Sequence, residues 1–168
     1  MKIFLTGSSG FIGFHLSKKL LDKGHSVHGF DSMNNYYDVK LKKDRYKILS
    51  RYKNFSFTKS NIENQKNLSK SILRFKPKII IHLAAQAGVR YSIKNPRVYL
   101  DSNITGTYNI IELAKKVNVK HLLIASSSSV YGANTKLPFK ETDKTEKQLS
   151  IYAATKKSTE SIAHSYSN

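Results

Sequence analysis

The chain has 168 residues, 39% of them hydrophobic, and its 29 Lys and Arg against 11 Asp and Glu give a formal charge of +18. That length builds one domain with a real core and leaves no room for a second of ordinary size. The lack of cysteine excludes disulfides, thiolate catalysis and cysteine-ligated metal sites, and no metal site is expected. No apolar run reaches about 18 residues and the N-terminus enters a strand directly, so the expectation is a cytoplasmic protein without membrane span or secretory signal.

Lys2-Ile3-Phe4-Leu5 is the short apolar run of a buried parallel strand, and Ile12, Leu16 and Leu20 then recur at helical spacing until Gly24. Between them lies Thr6-Gly7-Ser8-Ser9-Gly10-Phe11-Ile12-Gly13. Gly7 allows a tight turn, Gly10 lets backbone N–H groups approach a pyrophosphate, and Gly13 lets the helix pack closely on the strand, with the helix N-terminus facing the negative charge. The spacing is G-x-x-G-x-x-G, not the commoner G-x-G-x-x-G, and a glycine triplet alone is a weak signal. Its context strengthens it: the next strand, Ser26-Val27-His28-Gly29-Phe30, ends in Asp31, about 20 residues past the loop, where an acid holds adenosine ribose hydroxyls. Asp31 would repel a 2′-phosphate, which favours NAD over NADP.

A polar loop then leads to a basic segment carrying Lys40, Lys42, Lys43, Arg45, Lys47, Arg51 and Lys53, in which Tyr46, Ile48 and Leu49 point to a helix. Basic residues interleaved with tyrosines can bind nucleic acid, but no nucleic-acid module is recognisable. A solvated helix face is the expected reading, with no nucleic-acid partner. Asn54-Phe55-Ser56-Phe57-Thr58 alternates as a third strand, and Ser60-Asn61-Ile62 leads into a helix carrying Leu68, Ile72 and Phe75, ended by Pro77. Lys78-Ile79-Ile80-Ile81-His82-Leu83 is a fourth strand, running into small residues, Ala84-Ala85-Gln86-Ala87-Gly88, that let a ligand lie close to the backbone. His82, inside the strand, is expected to be packed rather than catalytic. Asn95 as cap and Pro96 at the first position announce a helix to about Lys116 that carries Leu100, Ile104, Tyr108, Ile111 and Leu113. Gly106 inside it costs roughly 1 kcal/mol against alanine, a sign of close packing. His121-Leu122-Leu123-Ile124-Ala125 is the fifth strand, and Ser126-Ser127-Ser128-Ser129-Val130-Tyr131-Gly132 follows at its carboxyl end, where open parallel sheets bind ligands. A loop containing Pro138 leads to the last helix, which holds Tyr152 and Lys156. Strands alternating with helices mark an α/β fold.

Tyr152 and Lys156 are four apart and share a helix face, where a cation beside a phenol favours the phenolate a general base needs. Alone the pair is commonplace. With Gly7-x-x-Gly10-x-x-Gly13, His82-Leu83-Ala84-Ala85, Asn103 and Ser126-Ser127-Ser128-x-Val130-Tyr131-Gly132 in this order and spacing, the whole chain resembles the extended short-chain dehydrogenase/reductase family. Within it, Asn34-Asn35-Tyr36-Tyr37-Asp38-Val39, the stretch from Ala84 to Ser92 and the stretch from Ser126 to Phe139 are most similar to the UDP-glucuronate 4-epimerases.

The resemblance implies a Rossmann-type doubly wound parallel sheet of strand order 3-2-1-4-5, with residues 1–168 as an NAD-binding domain cut before the C-terminal substrate-binding region. Two further strands and most of the nucleotide-sugar pocket are expected beyond Asn168. It implies NAD held by Gly7, Gly10, Phe11, Ile12, Gly13, Asp31, Asn61, Ile62, Leu83, Ala84, Ala85, Asn103, Tyr152 and Lys156, and a UDP-sugar touched by Gln86, Arg90, Ser127 and Ser128. It implies 4-epimerisation through transient oxidation at C4. Tyr152 takes the hydroxyl proton, Lys156 holds the nicotinamide ribose, and Ser127 matches the catalytic Ser/Thr. Family members read Gly-Asp after the third strand; here Ser60-Asn61 stands there, and Asn61 still donates and accepts towards adenine. The related 4,6-dehydratases place Asp-Glu after the Ser127 position, and Ser128-Ser129 in its place disfavours elimination. A 4-keto glucuronate is a β-keto acid able to lose CO₂, so a carboxylate anchor is expected among Ser127, Ser128 and Arg90. Helices at about 96–116 and 150–167 correspond to the pair that forms homodimer interfaces in similar enzymes. The alternatives are a non-catalytic NAD-binding fragment, a UDP-glucose 4-epimerase, a decarboxylating relative, a sugar-nucleotide 4,6-dehydratase relative, or a polyanion-binding protein resting on the charge alone.

Overall fold

The computed structural model describes residues 1–167. Strands β1 (Lys2–Thr6), β2 (Ser26–Asp31), β3 (Phe55–Lys59), β4 (Ile79–His82) and β5 (His121–Ile124) form one parallel sheet in the order β3-β2-β1-β4-β5. That is the expected order. The helices are α1 (Phe11–Asp22), α2 (Val39–Leu49), α3 (Gln65–Phe75), α4 (Val89–Lys94), α5 (Pro96–Tyr99), α6 (Gly106–Lys116) and α7 (Ile151–Ser167). Each pair of successive strands is joined through at least one helix, as parallel pairing requires. The chain divides into two compact units: Met1–Ala84 with Asn109–Ile124, and Ala85–Tyr108 with the chain from Ala125.

The first unit holds the sheet. Successive side chains of a strand point to opposite faces, so Phe4, Phe30 and Ile80 join Ile62, Leu68, Ile72, Ile110 and Leu113 in one core, while Leu5 and Val27 join Leu21 and Leu49 in another. Phe4, Leu5, Val27 and Ile80 have no exposed surface; burying each contributes about 2 kcal/mol. Asp38 caps α2 by accepting from Lys40 N, and Asn64 caps α3 by accepting from Asn67 N. Lys76, in the left-handed conformation, closes α3 just before Pro77.

In the second unit the helix expected from Pro96 to Lys116 is a run of three parts, in which a π-helical segment, Leu100–Thr105, separates α5 from α6. Asn95 is not the expected side-chain cap. It makes no capping hydrogen bond, because it is also the residue that ends α4, its N–H donating to Tyr91 O. Neither α4 nor the 3-10 turn Ser128–Tyr131 is announced by a periodic apolar pattern in the sequence.

Candidate functional site

In the first unit, β1 delivers Thr6 into a loop that turns at Gly7, whose φ is +72°. Gly7 N donates to Phe30 O at 2.8 Å and Gly10 N to Gly7 O at 3.0 Å, so the loop folds back on itself. Gly13 is required by space: a Cβ there would lie 2.0 Å from Gly7 O. No side chain caps α1, leaving first-turn N–H groups without the usual partner. The hydroxyls of Ser8 and Ser9 are buried and unpartnered. Asp31 Oδ2 accepts from Ser9 N at 3.0 Å and Oδ1 from Met33 N at 2.8 Å, which fixes the carboxylate beside the loop with lone pairs to spare.

Thr6 organises the two strand ends. Its wholly buried Oγ1 accepts from Leu83 N at 3.1 Å and Ala84 N at 3.0 Å, and it lies 2.8 Å from His82 Nδ1. With both lone pairs taken by N–H donors, the hydroxyl hydrogen is left for His82, whose Nδ1 therefore accepts. His82 is the packed histidine the sequence leads one to expect. Thr6→Val is expected to cost about 2–4 kcal/mol by leaving two N–H groups unpaired, and Thr6→Ser much less. Urea unfolding of both variants checks this, and equal losses would count against the clamp.

The cations of α2 are not all on a solvated face. Lys40, Lys43 and Lys47 are exposed. Lys42 is buried, however, its Nζ donating to Asn34 O and Oδ1, both at 2.8 Å. Burial pushes its ammonium pKa down, with Asp31 opposing the shift. Arg45 donates through Nη1 to Ser9 O at 3.2 Å and lies over the rings of Phe11 and Phe14 at 5.9 and 6.0 Å, so it ties the glycine loop to α2. Phe11 and Ile12 are 69% and 66% exposed. Asn61 is exposed and Leu83 half-buried, whereas the side chain of Ile62 belongs to the core and leaves only its backbone for a ligand.

In the second unit, Asn103 stands in the π-helical segment and is 1% exposed. Its Oδ1 accepts from Gln86 N at 2.7 Å, and its two Nδ2 hydrogens go to Gln86 O at 3.1 Å and Thr155 Oγ1 at 3.0 Å. The side chain thus braces the 86–88 backbone against α7. Tyr99, four residues earlier, adds to that brace: its hydroxyl donates to Ala87 O at 2.7 Å and Gly88 O at 2.6 Å, and its ring lies 6.0 Å edge-on from that of Tyr152. Sequence reasoning missed Tyr99 and Arg45.

Lys156 is 6% exposed and donates to Ala125 O, leaving two N–H groups. Burial pushes its ammonium pKa down, with Glu160 pulling the other way. Tyr152 is half-buried, and its hydroxyl has no hydrogen-bond partner among the described residues. Ser127 caps the 3-10 turn, accepting from Ser129 N at 3.2 Å, which leaves its O–H to donate; no hydrogen bond joins it to Tyr152. Ser126 donates to Glu160 Oε1 at 2.5 Å. Gln86 is buried, while Ala85, Arg90 and Ser128 are exposed, and Arg90 makes no ion pair among the described residues. In the first unit the N–H groups at the start of α1 and the fixed Asp31 carboxylate are of the chemistry that phosphate and ribose hydroxyls pair with; in the second unit Lys156 is a buried cation with donors to spare.

Protein CapI of Staphylococcus aureus is 55% identical over 100% of this chain and 50% of that protein. A probable UDP-glucuronate 4-epimerase of Rhizobium meliloti is 51% identical over 100% of this chain and 49% of its own. The UDP-glucuronic acid 4-epimerase of Bacillus cereus, solved in complex with UDP-glucuronic acid and NAD, superposes with a TM-score of 0.90 at 34% identity, over 99% of this chain and 52% of that one. The chain thus spans about half the length of the curated relatives it matches. Those relatives and the glycine loop, strand-end serines and Tyr152–Lys156 pair agree with the family description matching residues 4–168: the chain belongs to the GDP-mannose 4,6 dehydratase family.

Proposed function

We propose that this chain is the NAD-binding part of an enzyme that epimerises UDP-glucuronate to UDP-galacturonate at C4. The observation that carries the reading is Lys156, buried one turn after Tyr152 on α7 with two N–H groups unpartnered among the described residues. NAD, when bound, supplies the acceptor and returning donor of the C4 hydride. The N–H groups around Gly10 hold its pyrophosphate, Asp31 holds the adenosine ribose, and Lys156 donates to the nicotinamide ribose. Tyr152, as the phenolate and with its oxygen unpartnered among the described residues, takes the proton from the sugar C4 hydroxyl and later gives it back, while Ser127 donates to the same oxygen. Arg90, exposed and without an ion pair among the described residues, pairs with the sugar carboxylate and opposes loss of CO₂ from the keto stage.

Although the family takes its description from a dehydratase, Ser128 and Ser129 offer no separate acid and base for removing water. A homodimer belongs to the same proposal, because Leu100 and Tyr108 on one helical run and Ile151 and Tyr166 on α7 are 40–46% exposed apolar positions.

Calorimetric titration with NAD, then UDP-glucuronate, tests the reading. Saturable NAD heat is expected from this chain; sugar-nucleotide heat and UDP-galacturonate formation are expected of the enzyme that contains it. In that enzyme Tyr152→Phe is expected to lower turnover by about 10²–10⁴-fold, while NAD still binds. A folded chain that takes up no NAD defeats the cofactor reading; NAD uptake without turnover by the enzyme that contains it favours a non-catalytic NAD-binding protein.

A further inference from the structure

The amino ends of three neighbouring strands carry the same charge in register. Lys2 precedes Ile3, which pairs with Ile79; Lys78 precedes Ile79, which pairs with His121; and Lys120 precedes His121. The backbone extends that register by one step, Lys78 N donating to Lys2 O at 2.9 Å and Lys120 N to Lys78 O at 2.8 Å. Like charges so aligned repel. Lys2 is partly satisfied, its Nζ 5.6 Å from the centre of the Phe75 ring. Lys76, Lys78 and Lys120 are exposed and make no ion pair among the described residues.

These three lysines rim a groove of about 450 Å³ lined also by Leu73, Pro77, Val117 and Asn118, where α3 and α6 end. Leu73 is 42% exposed although Leu68 and Ile72 on the same helix are fully buried. The carboxyl ends of α3 and α6 ease the repulsion between the lysines but leave their donors unpaired. The sequence answers none of this charge nearby, with no Asp or Glu between Glu63 and Asp101 or between Glu112 and Glu141. The groove lies at the amino ends of the strands, whereas the glycine loop follows the carboxyl end of β1.

We propose that this groove docks an acidic segment of a partner protein, one apolar side chain seated on Leu73, Pro77 and Val117 and flanking carboxylates reaching Lys76, Lys78 and Lys120. Charge complementarity selects the occupant. A second copy of this chain, with 11 Asp and Glu against 29 Lys and Arg, is poorly matched in charge to this groove. A single-stranded nucleic acid gains affinity from aromatic platforms that stack its bases, and none lines the groove, whereas Leu73, Pro77 and Val117 offer an apolar seat that a nucleic acid cannot use. The docking does not rest on the epimerase reading.

The test is fluorescence anisotropy of a labelled peptide of Asp and Glu around a single Leu, at about 50 mM salt so that screening is modest. Lys78→Glu/Lys120→Glu is expected to weaken binding by about tenfold or more, and Leu73→Ser by about three- to fivefold. Lys40→Glu/Lys43→Glu, the same charge change on α2, is expected to alter it by less than about twofold. Lys78→Gln/Lys120→Gln, a milder change, gives an intermediate loss and covers any folding failure of the double reversal. An unlabelled oligo-dT of equal charge is not expected to displace the peptide. Absence of peptide binding overturns the proposal. So does an equal loss in the α2 control, undiminished binding of a peptide lacking the Leu, or displacement by oligo-dT.

Discussion

Gly13→Ala is expected to unfold or displace the start of α1 and abolish NAD binding, whereas Gly10→Ala is expected to leave the fold intact. The two glycines stand three apart in one motif, yet their surroundings differ. A Cβ on Gly13 would meet Gly7 O at 2.0 Å, Gly7 C at 2.8 Å and Ser8 Cα at 3.0 Å, all backbone atoms of the loop itself. None is a flexible side-chain end, so relief requires moving the helix away from the loop, at more than the roughly 1–3 kcal/mol of ordinary overpacking. On the cofactor reading the same movement withdraws the α1 N–H groups from the pyrophosphate, and a loss of about 100-fold or more in Kd follows, or about 2.7 kcal/mol. A Cβ on Gly10 meets only Gly7 O at 3.2 Å, and its φ of −71° suits any residue. Gly10→Ala should therefore unfold in urea within about 1 kcal/mol of the parent, and any weakening of NAD comes from the methyl group meeting the ligand. Urea unfolding and NAD calorimetry on both variants check the contrast; a Gly13→Ala chain as stable as Gly10→Ala would refute it.

The sheet was legible because its strands are short apolar runs separated by helical periods, and the order 3-2-1-4-5 followed from the resemblance carried by the glycine loop and the Tyr152–Lys156 pair. His82 could be read as packed because it interrupts an apolar run. What escaped was work done by polar residues through tertiary contacts. Thr6 reads as the last residue of a strand, and only the approach of the β4 end shows it accepting two N–H groups. Arg45 sits in a segment whose cations look uniform in sequence, and its bond to Ser9 O spans 36 residues. Asn103 shows the same limit in another way. Its place in the family motif was readable, but its bonds to Gln86 and Thr155 depend on the π-helical segment, which has no pattern of its own.

The second large effect is acid sensitivity centred on His28. In β2 this imidazole is 8% exposed and stacks on Phe4 at 5.1 Å with 11° between the rings, with Phe75 5.3 Å away. Its Nδ1 lies 2.8 Å from Ser56 Oγ and its Nε2 3.0 Å from Thr58 Oγ1, which also accepts from Ser71 Oγ at 3.0 Å. One nitrogen donates and the other accepts, so this setting satisfies the neutral ring. Burial lowers its pKa from 6.5 to about 4, with the Arg74 charge adding to the shift. Between those values the unfolded chain holds a proton that the folded chain does not, so stability rises with pH through this window and falls as pH drops from 6.5 to about 4. The whole loss is about 3 kcal/mol at 1.36 kcal/mol per unit, a large share of the roughly 5–15 kcal/mol that holds a domain together. His28→Phe keeps the stack on Phe4 but cannot be protonated. Its stability at pH 7 should be lower, because Ser56 loses its ring partner, yet its dependence on pH between 4 and 6.5 should be much flatter. Urea unfolding of both chains across that range isolates the effect, since the carboxylates contribute alike to each and cancel in the difference. A slope unchanged in His28→Phe would assign the acid sensitivity to other groups and leave the buried imidazole as packing alone.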